Sequence, residues 1–221
     1  MSFESGQPFA GAQVIPVPRV GLYRGFLKRA VDLVIVAILA VPALLLLTIL
    51  GAIVAMDGKN PFFWQERVGR HGRVYKMLKL RSMVPNAEAL LEKHLAENPE
   101  ARREWDELQK LKSDPRITWI GRIVRKTSMD ELPQLWNVLR GEMSIVGPRP
   151  MMTNQVSLYP GTAYYAMAPG ITGYWQVSER NECSFAERAY FDNRYFTDIS
   201  LATDVAVLAL TVKVVLRCTG H

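Results

Sequence analysis

From Leu33 to Met56 the chain carries no Asp, Glu, Lys or Arg, and no other feature limits its architecture as strongly. About 20 apolar residues cross the hydrocarbon core of a bilayer, so the run is long enough to span. Pro42 lies inside it, where a proline removes a backbone hydrogen bond and kinks or breaks the helix. Cations flank both ends: Arg24, Lys28 and Arg29 before the run, and Lys59, Arg67, Arg70, Arg73, Lys76 and Lys79 after it. The positive-inside tendency wants both flanks on the cytosolic face. A helix that enters, breaks near Pro42 and returns satisfies both facts. Spanning helices also tolerate proline, so a simple span stays open as the alternative. A cleaved signal peptide is disfavoured, because the run starts too far in, is too long and lacks a small-residue cleavage site.

A chain of 221 residues can hold one compact domain beside such a segment. Its apolar residues are unevenly spread, with residues 86–112 crowded with charge. The net charge of +6 points to an anionic partner. No aromatic–basic repeat or nucleic-acid motif is present, so nucleic acid is not expected. Cys183 and Cys218 stand far apart, which suits neither a disulfide framework nor a zinc site. His71, His94 and His221 are scattered and read as surface residues, leaving no local support for a Ser-His-Asp mechanism.

Residues 1–23 are rich in Pro, Gly and small polar residues and read as a disordered tail. Phe62, Phe63 and Trp64 would sit at a membrane interface. Gly69–Arg73 reads as a turn, and Val74–Leu80 alternates like a short strand. Residues 86–112 read as two charged helices, with Asn98 capping the second and Pro99 opening it. Trp105, Leu108 and Leu111 form an apolar stripe there, and a structural role is the favoured reading. A further helix is expected from about Asp130 to Leu139, followed by a loop-rich region over 141–176. The apolar run Val205–Leu216 is too short to span; it is either a core helix or a segment lying against the membrane.

The chemistry-bearing residues fall in three clusters. Asp130 and Glu131 lie just before Pro133 and just after Arg125 and Lys126. Proline is tolerated in the first turn of a helix, so Pro133 puts the carboxylates at a helix N-terminus. There Asp130 could be merely a cap, or Ser128 and Glu131 a capping box. The same position also suits a carboxylate set against a phosphate and a metal ion. Lys79 and Arg81, two apart on an extended segment, share a face. Arg149 lies between Pro148 and Pro150, which stiffen the backbone and display the guanidinium for bidentate phosphate binding. Lys79, Arg81 and Arg149 taken singly read as exposed cations near turns.

Together and in order, these pieces resemble a known family. They are Lys28-Arg29 with Asp32, the apolar run around Pro42, Lys79-Leu80-Arg81-Ser82-Met83, and Asp114-Pro115-Arg116. Then come Ser128 to Leu135, Gly141 to Pro150 and Pro169 to Val177. The chain resembles the bacterial sugar transferases, monotopic phosphoglycosyl transferases that prime polysaccharide assembly, over roughly residues 24–216. In length and in its helical insert it is most similar to the ExoY-type exopolysaccharide galactose-phosphate transferases. The resemblance implies an α+β fold, mostly helical with a few short strands. It divides the chain into the tail 1–23, a basic collar and re-entrant membrane helix over 24–57, and a cytosolic catalytic domain over 58–221 with an insert at 86–112. It implies Asp130 as nucleophile, Glu131 as its partner on a magnesium ion, and Lys79, Arg81, Arg125 and Arg149 around the phosphates. The implied substrates are a UDP-sugar, galactose favoured, and undecaprenyl phosphate at the bacterial inner membrane. Leu80 stands where the family more often has Phe, and Glu179 stands where a Gly commonly precedes Arg180 and Asn181, which leaves Arg180 without an assigned role. A nucleotide-sugar phosphodiesterase and a non-catalytic membrane scaffold are the rival functions. Homo-oligomerisation is left open.

Overall fold

The uncharged run folds as helix α1, Lys28–Val54, entered through a π-helical turn at Tyr23–Leu27. The computed structural model describes residues 21–57, 59–178 and 185–216. The tail lies outside these up to residue 20, and Tyr23, read as tail, is already helical. At 1.5 Å per residue α1 is about 40 Å long, more than the ~30 Å of a hydrocarbon core. Helical backbone continues through Pro42, so the expected break does not interrupt the helix. Pro42 instead withholds the donor that the Ile38 carbonyl would otherwise receive.

Both ends of α1 pack on the same domain. Ile35 and Val36 join the main core with Val138, Ile145, Val146, Phe196 and Val207. Val54, at the other end, packs with Leu80 and Val124 and against Phe62 and Ile120. Between them, Ile38, Val41, Leu44, Leu45 and Ile49 are each more than half exposed. A contiguous apolar surface of this kind marks contact with a membrane or a partner. Polar locks reinforce the first end. Buried Asp32 accepts hydrogen bonds from the Ser144 hydroxyl at 3.1 Å and the Ile145 N–H at 3.0 Å. Lys28 pairs with Asp204 at 2.7 Å, and Arg29 donates to the carbonyls of Val138 and Leu139. These two cations of the basic collar are thus directed at protein groups.

Strands β1 (Phe62–Val68) and β2 (Val74–Leu80) form an antiparallel hairpin registered from Phe62↔Leu80 to Val68↔Val74. The aromatic segment expected at an interface is therefore also the start of a strand, with Trp64 exposed. The turn between them takes His71 to a left-handed φ of 59°. Helices α2 (Ala87–Glu97) and α3 (Pro99–Leu108) meet at Asn98 as expected. The Asn98 side chain does not cap α3, however; it turns back and donates to the His94 carbonyl.

Helix α4 (Trp119–Lys126) is capped by Thr118, whose hydroxyl accepts from the Gly121 N–H. A side chain at Gly121 would run into the Ser82 carbonyl, so glycine lets α4 lie against the segment after β2. A 3₁₀ turn at Met129–Gln134 leads into α5 (Leu135–Leu139), where the sequence suggested one continuous helix. The region read as loops contains β3 (Ser144–Val146), α6 (Ala163–Ala166) and β4 (Gly170–Thr172), with β4 parallel to β3. Helices α7 (Tyr174–Val177), α8 (Arg188–Asp198) and α9 (Leu201–Leu216) follow. In α9 only Asp204 and Val207 are buried, while Leu201, Val205, Leu210, Val212 and Leu216 are exposed. One face of α9 thus packs on the main core through Val207 and Leu208, while the other is exposed and apolar.

Candidate active site

Asp130 and Glu131 project from the 3₁₀ turn rather than from an α-helix N-terminus. Ser128 precedes the turn at a left-handed φ of 56°, and its side chain caps nothing. Neither the capping box nor an Asp130 cap is formed. The Asp130 carboxylate instead meets Lys79, with Oδ2 3.4 Å from Nζ. Lys79 also lies 3.7 Å from Glu131 Oε1, and the Arg149 guanidinium lies 3.6 Å from the same oxygen. All three separations exceed the usual 2.7–2.9 Å of a charge-assisted hydrogen bond, so these are loose ion pairs.

Lys79 comes from β2, the carboxylates from the turn packed against it, and Asn137 of α5 fixes the two together. Fully buried, Asn137 behaves like one more residue of strand beside β2. Its side-chain oxygen accepts from the Leu78 N–H at 3.0 Å, and its nitrogen donates to the Lys76 carbonyl at 2.8 Å and to Glu142 at 2.7 Å. The sequence reading missed this residue. Its one signal was a lone amide among apolar neighbours in Leu-Trp-Asn-Val-Leu.

A cavity opens above this arrangement, lined by Arg67, Lys79, Glu131, Gln134 and Arg149 with Met77, Pro150, Gly170 and Ile171. Asp130 lies beneath it, 7 % exposed. Burial pushes the Asp130 carboxyl above its ordinary range, Lys79 opposes this, and Glu131 adds to it. Arg125 is near enough for its charge to help hold Asp130 ionised, and burial lowers the Arg125 guanidinium itself. Arg149 lies over the Trp175 ring at 5.5 Å. Its display owes as much to two other arginines as to its flanking prolines: Arg188 donates to the Arg149 carbonyl at 2.6 Å, and Arg67 to the Pro150 carbonyl at 3.1 Å. Gly147 and Gly170 approach so closely that a side chain on Gly170 would strike the Gly147 backbone, which seats this loop on β4.

Lys79, Glu131 and Arg149 thus meet at one cavity, with Asp130 beside Lys79 and Arg125 within electrostatic reach of Asp130. Arg81 stands apart. It follows the last residue of β2 and binds the carbonyls of Val54 at 3.0 Å and Asn60 at 2.9 Å. Arg81 thus meets the end of α1 and is not among the residues that line this cavity. Arg180 and both cysteines lie outside the described residues.

A hard divalent cation fits this donor set. No group of three or more His, Cys, Asp or Glu that could hold a metal occurs among the described residues, so a fully protein-built cage is excluded there. Magnesium asks for less: one or two carboxylates, with the remaining positions filled by substrate phosphate and water. Glu131, at the cavity wall beside Asp130, meets that requirement.

The family model for bacterial sugar transferases matches residues 23–218. The chain is 53 % identical over 200 residues to the UDP-galactose-lipid carrier transferase of Erwinia amylovora, covering 88 % of this chain and 41 % of that protein. It is 48 % identical to the undecaprenyl-phosphate galactose phosphotransferase of Salmonella typhimurium, over the same 88 % and 41 %. The chain therefore spans about two fifths of the length of these relatives. The exopolysaccharide production protein ExoY of Sinorhizobium fredii is matched nearly end to end, at 42 % identity over 89 % of this chain and 88 % of that one.

Proposed function

We propose that this chain, which belongs to the bacterial sugar transferase family, is a priming phosphoglycosyl transferase of exopolysaccharide synthesis. It moves a sugar 1-phosphate, galactose favoured, from a UDP-sugar to undecaprenyl phosphate. The observation that carries this is the buried Asp130 carboxylate, ion-paired with Lys79 under a cavity walled by cations. The names of the Erwinia and Salmonella relatives support the substrates.

The residues account for the chemistry. An Asp130 oxygen attacks the phosphorus that bears the sugar, and the bond from that phosphorus to UMP breaks as UMP leaves with its electron pair. Lys79 and Arg149 offset the charge on the phosphates, and Arg125 and Lys79 keep Asp130 ionised against the cost of its burial. An oxygen of the lipid phosphate then attacks the same phosphorus, releasing the Asp130 carboxylate and forming the polyprenyl diphosphate-sugar. Glu131 would hold a magnesium ion, which neutralises phosphate charge when bound. The apolar middle of α1, with both its ends packed on one domain, supports a re-entrant anchor in the inner membrane and a catalytic domain on the cytosolic face.

Covalent catalysis is tested by supplying donor without acceptor. About one UMP per active site should be released, with a sugar-phosphate adduct on the peptide containing Asp130. Asp130→Asn should abolish both while the protein stays folded. A folded Asp130→Asn variant with wild-type activity would defeat the proposal.

A further inference from the structure

Among the described residues, Arg67 in the wall of the cavity makes no ion pair. Its two terminal nitrogens bind neutral acceptors, the Pro150 carbonyl at 3.1 Å and Gln65 Oε1 at 2.6 Å. Its Nε is buried without a partner, and no ion pair to it occurs among the described residues. Arg149 and Arg188 are close enough to oppose its charge further, and with burial they bring its guanidinium down to about 10. Of these three guanidiniums, Arg149 has Glu131 nearby and Arg188 is offset by the charge of Asp192. A desolvated cation without an anion is costly, and the arrangement gains most when an anion enters the cavity.

We propose that Arg67 is a substrate contact, seating the diphosphate of the nucleotide-sugar donor together with Arg149. This rests on the function proposed above, which names the donor. The anion completes a cluster that the protein alone leaves positively charged, at a cavity that Arg67, Lys79 and Arg149 all line. Arg67 also holds the Pro150 carbonyl, so one side chain both touches the donor and keeps Arg149 in place.

The test uses the full chain in lipid nanodiscs, with UDP and inorganic pyrophosphate as probes, read by calorimetry and thermal melting. Pyrophosphate should raise the melting temperature of the wild-type protein. Arg67→Gln should weaken UDP and pyrophosphate by roughly tenfold or more, and Arg67→Lys should fall between. In single turnover, Arg67→Gln should need more donor for half-maximal UMP release. A merely structural arginine would lower the melting temperature and leave pyrophosphate affinity intact in the folded fraction. That outcome overturns the proposal, as does wild-type protein that gains no stability from pyrophosphate. If no UDP-sugar gives UMP release even from wild type, the proposed function fails while the pyrophosphate measurements still decide Arg67.

Discussion

Replacing Asn137 with Leu keeps the approximate size of the side chain and removes its polar contacts. Three hydrogen bonds are lost, to the Leu78 N–H, the Lys76 carbonyl and Glu142, at 2.7 to 3.0 Å. Leaving a buried polar group unsatisfied costs about 1–3 kcal/mol. Asn137 is fully buried, but Glu142 can turn to Arg140, its partner at 3.1 Å, so two orphaned backbone groups dominate. The expected loss is therefore roughly 2–6 kcal/mol, a large share of the 5–15 kcal/mol of a typical domain. Urea denaturation should show a lower midpoint with an unchanged slope. The more telling consequence is kinetic. Asn137 fixes the strand that carries Lys79 to the helix after Asp130, so the variant should release UMP more slowly in single turnover even where it is fully folded. A loss below about 0.5 kcal/mol, together with a wild-type burst, would refute the view that this amide joins the two halves of the site.

Three further outcomes are expected. Chelation should abolish turnover and magnesium should restore it, measured as UMP release; full activity in metal-free buffer would remove magnesium from the mechanism. Single cysteines placed at Ser5 and Asn60, in a variant lacking Cys183 and Cys218, should both resist an impermeant thiol reagent on intact cells; labelling of one alone would show a simple span. Asp192, buried beside Tyr159, has its carboxyl raised to about 6, so the folded chain retains a proton that the unfolded chain has lost. Its contribution is full below about pH 4 and declines as the pH rises through about 6, by an order of 3 kcal/mol. From about pH 4 to about pH 7 the melting temperature of wild type should therefore fall relative to that of Asp192→Asn, and parallel curves would count against it.

Legibility followed the range of the interaction. The β1–β2 hairpin shows in the alternation of Val74–Leu80 and the glycines at 69 and 72, and the α2–α3 corner shows in Asn98-Pro99, because both are local. The Asp130 turn was misread in form: Pro133 suits a first helical turn, yet it also fits the 3₁₀ turn that Ser128 starts from a left-handed backbone. Strands β3 and β4 have three residues each, too few to display a period, and they pair across more than twenty residues of chain. Lys79 and Arg81 are two apart in sequence, but the first meets a carboxylate and the second the end of a helix. Arg67, Asn137 and Arg188 were missed because their meaning lies wholly in partners distant in sequence.

The seating of α1 also bears on how this protein can be handled. Asp32 satisfies the Ile145 N–H, and Val36 and Val54 fill two separate clusters of the core. A truncation that begins after residue 57 would thus leave an amide without its acceptor and holes on two sides of the domain. Helix α1 serves as an internal scaffold, so a fragment made by deleting it should be a poorly ordered protein rather than a smaller enzyme.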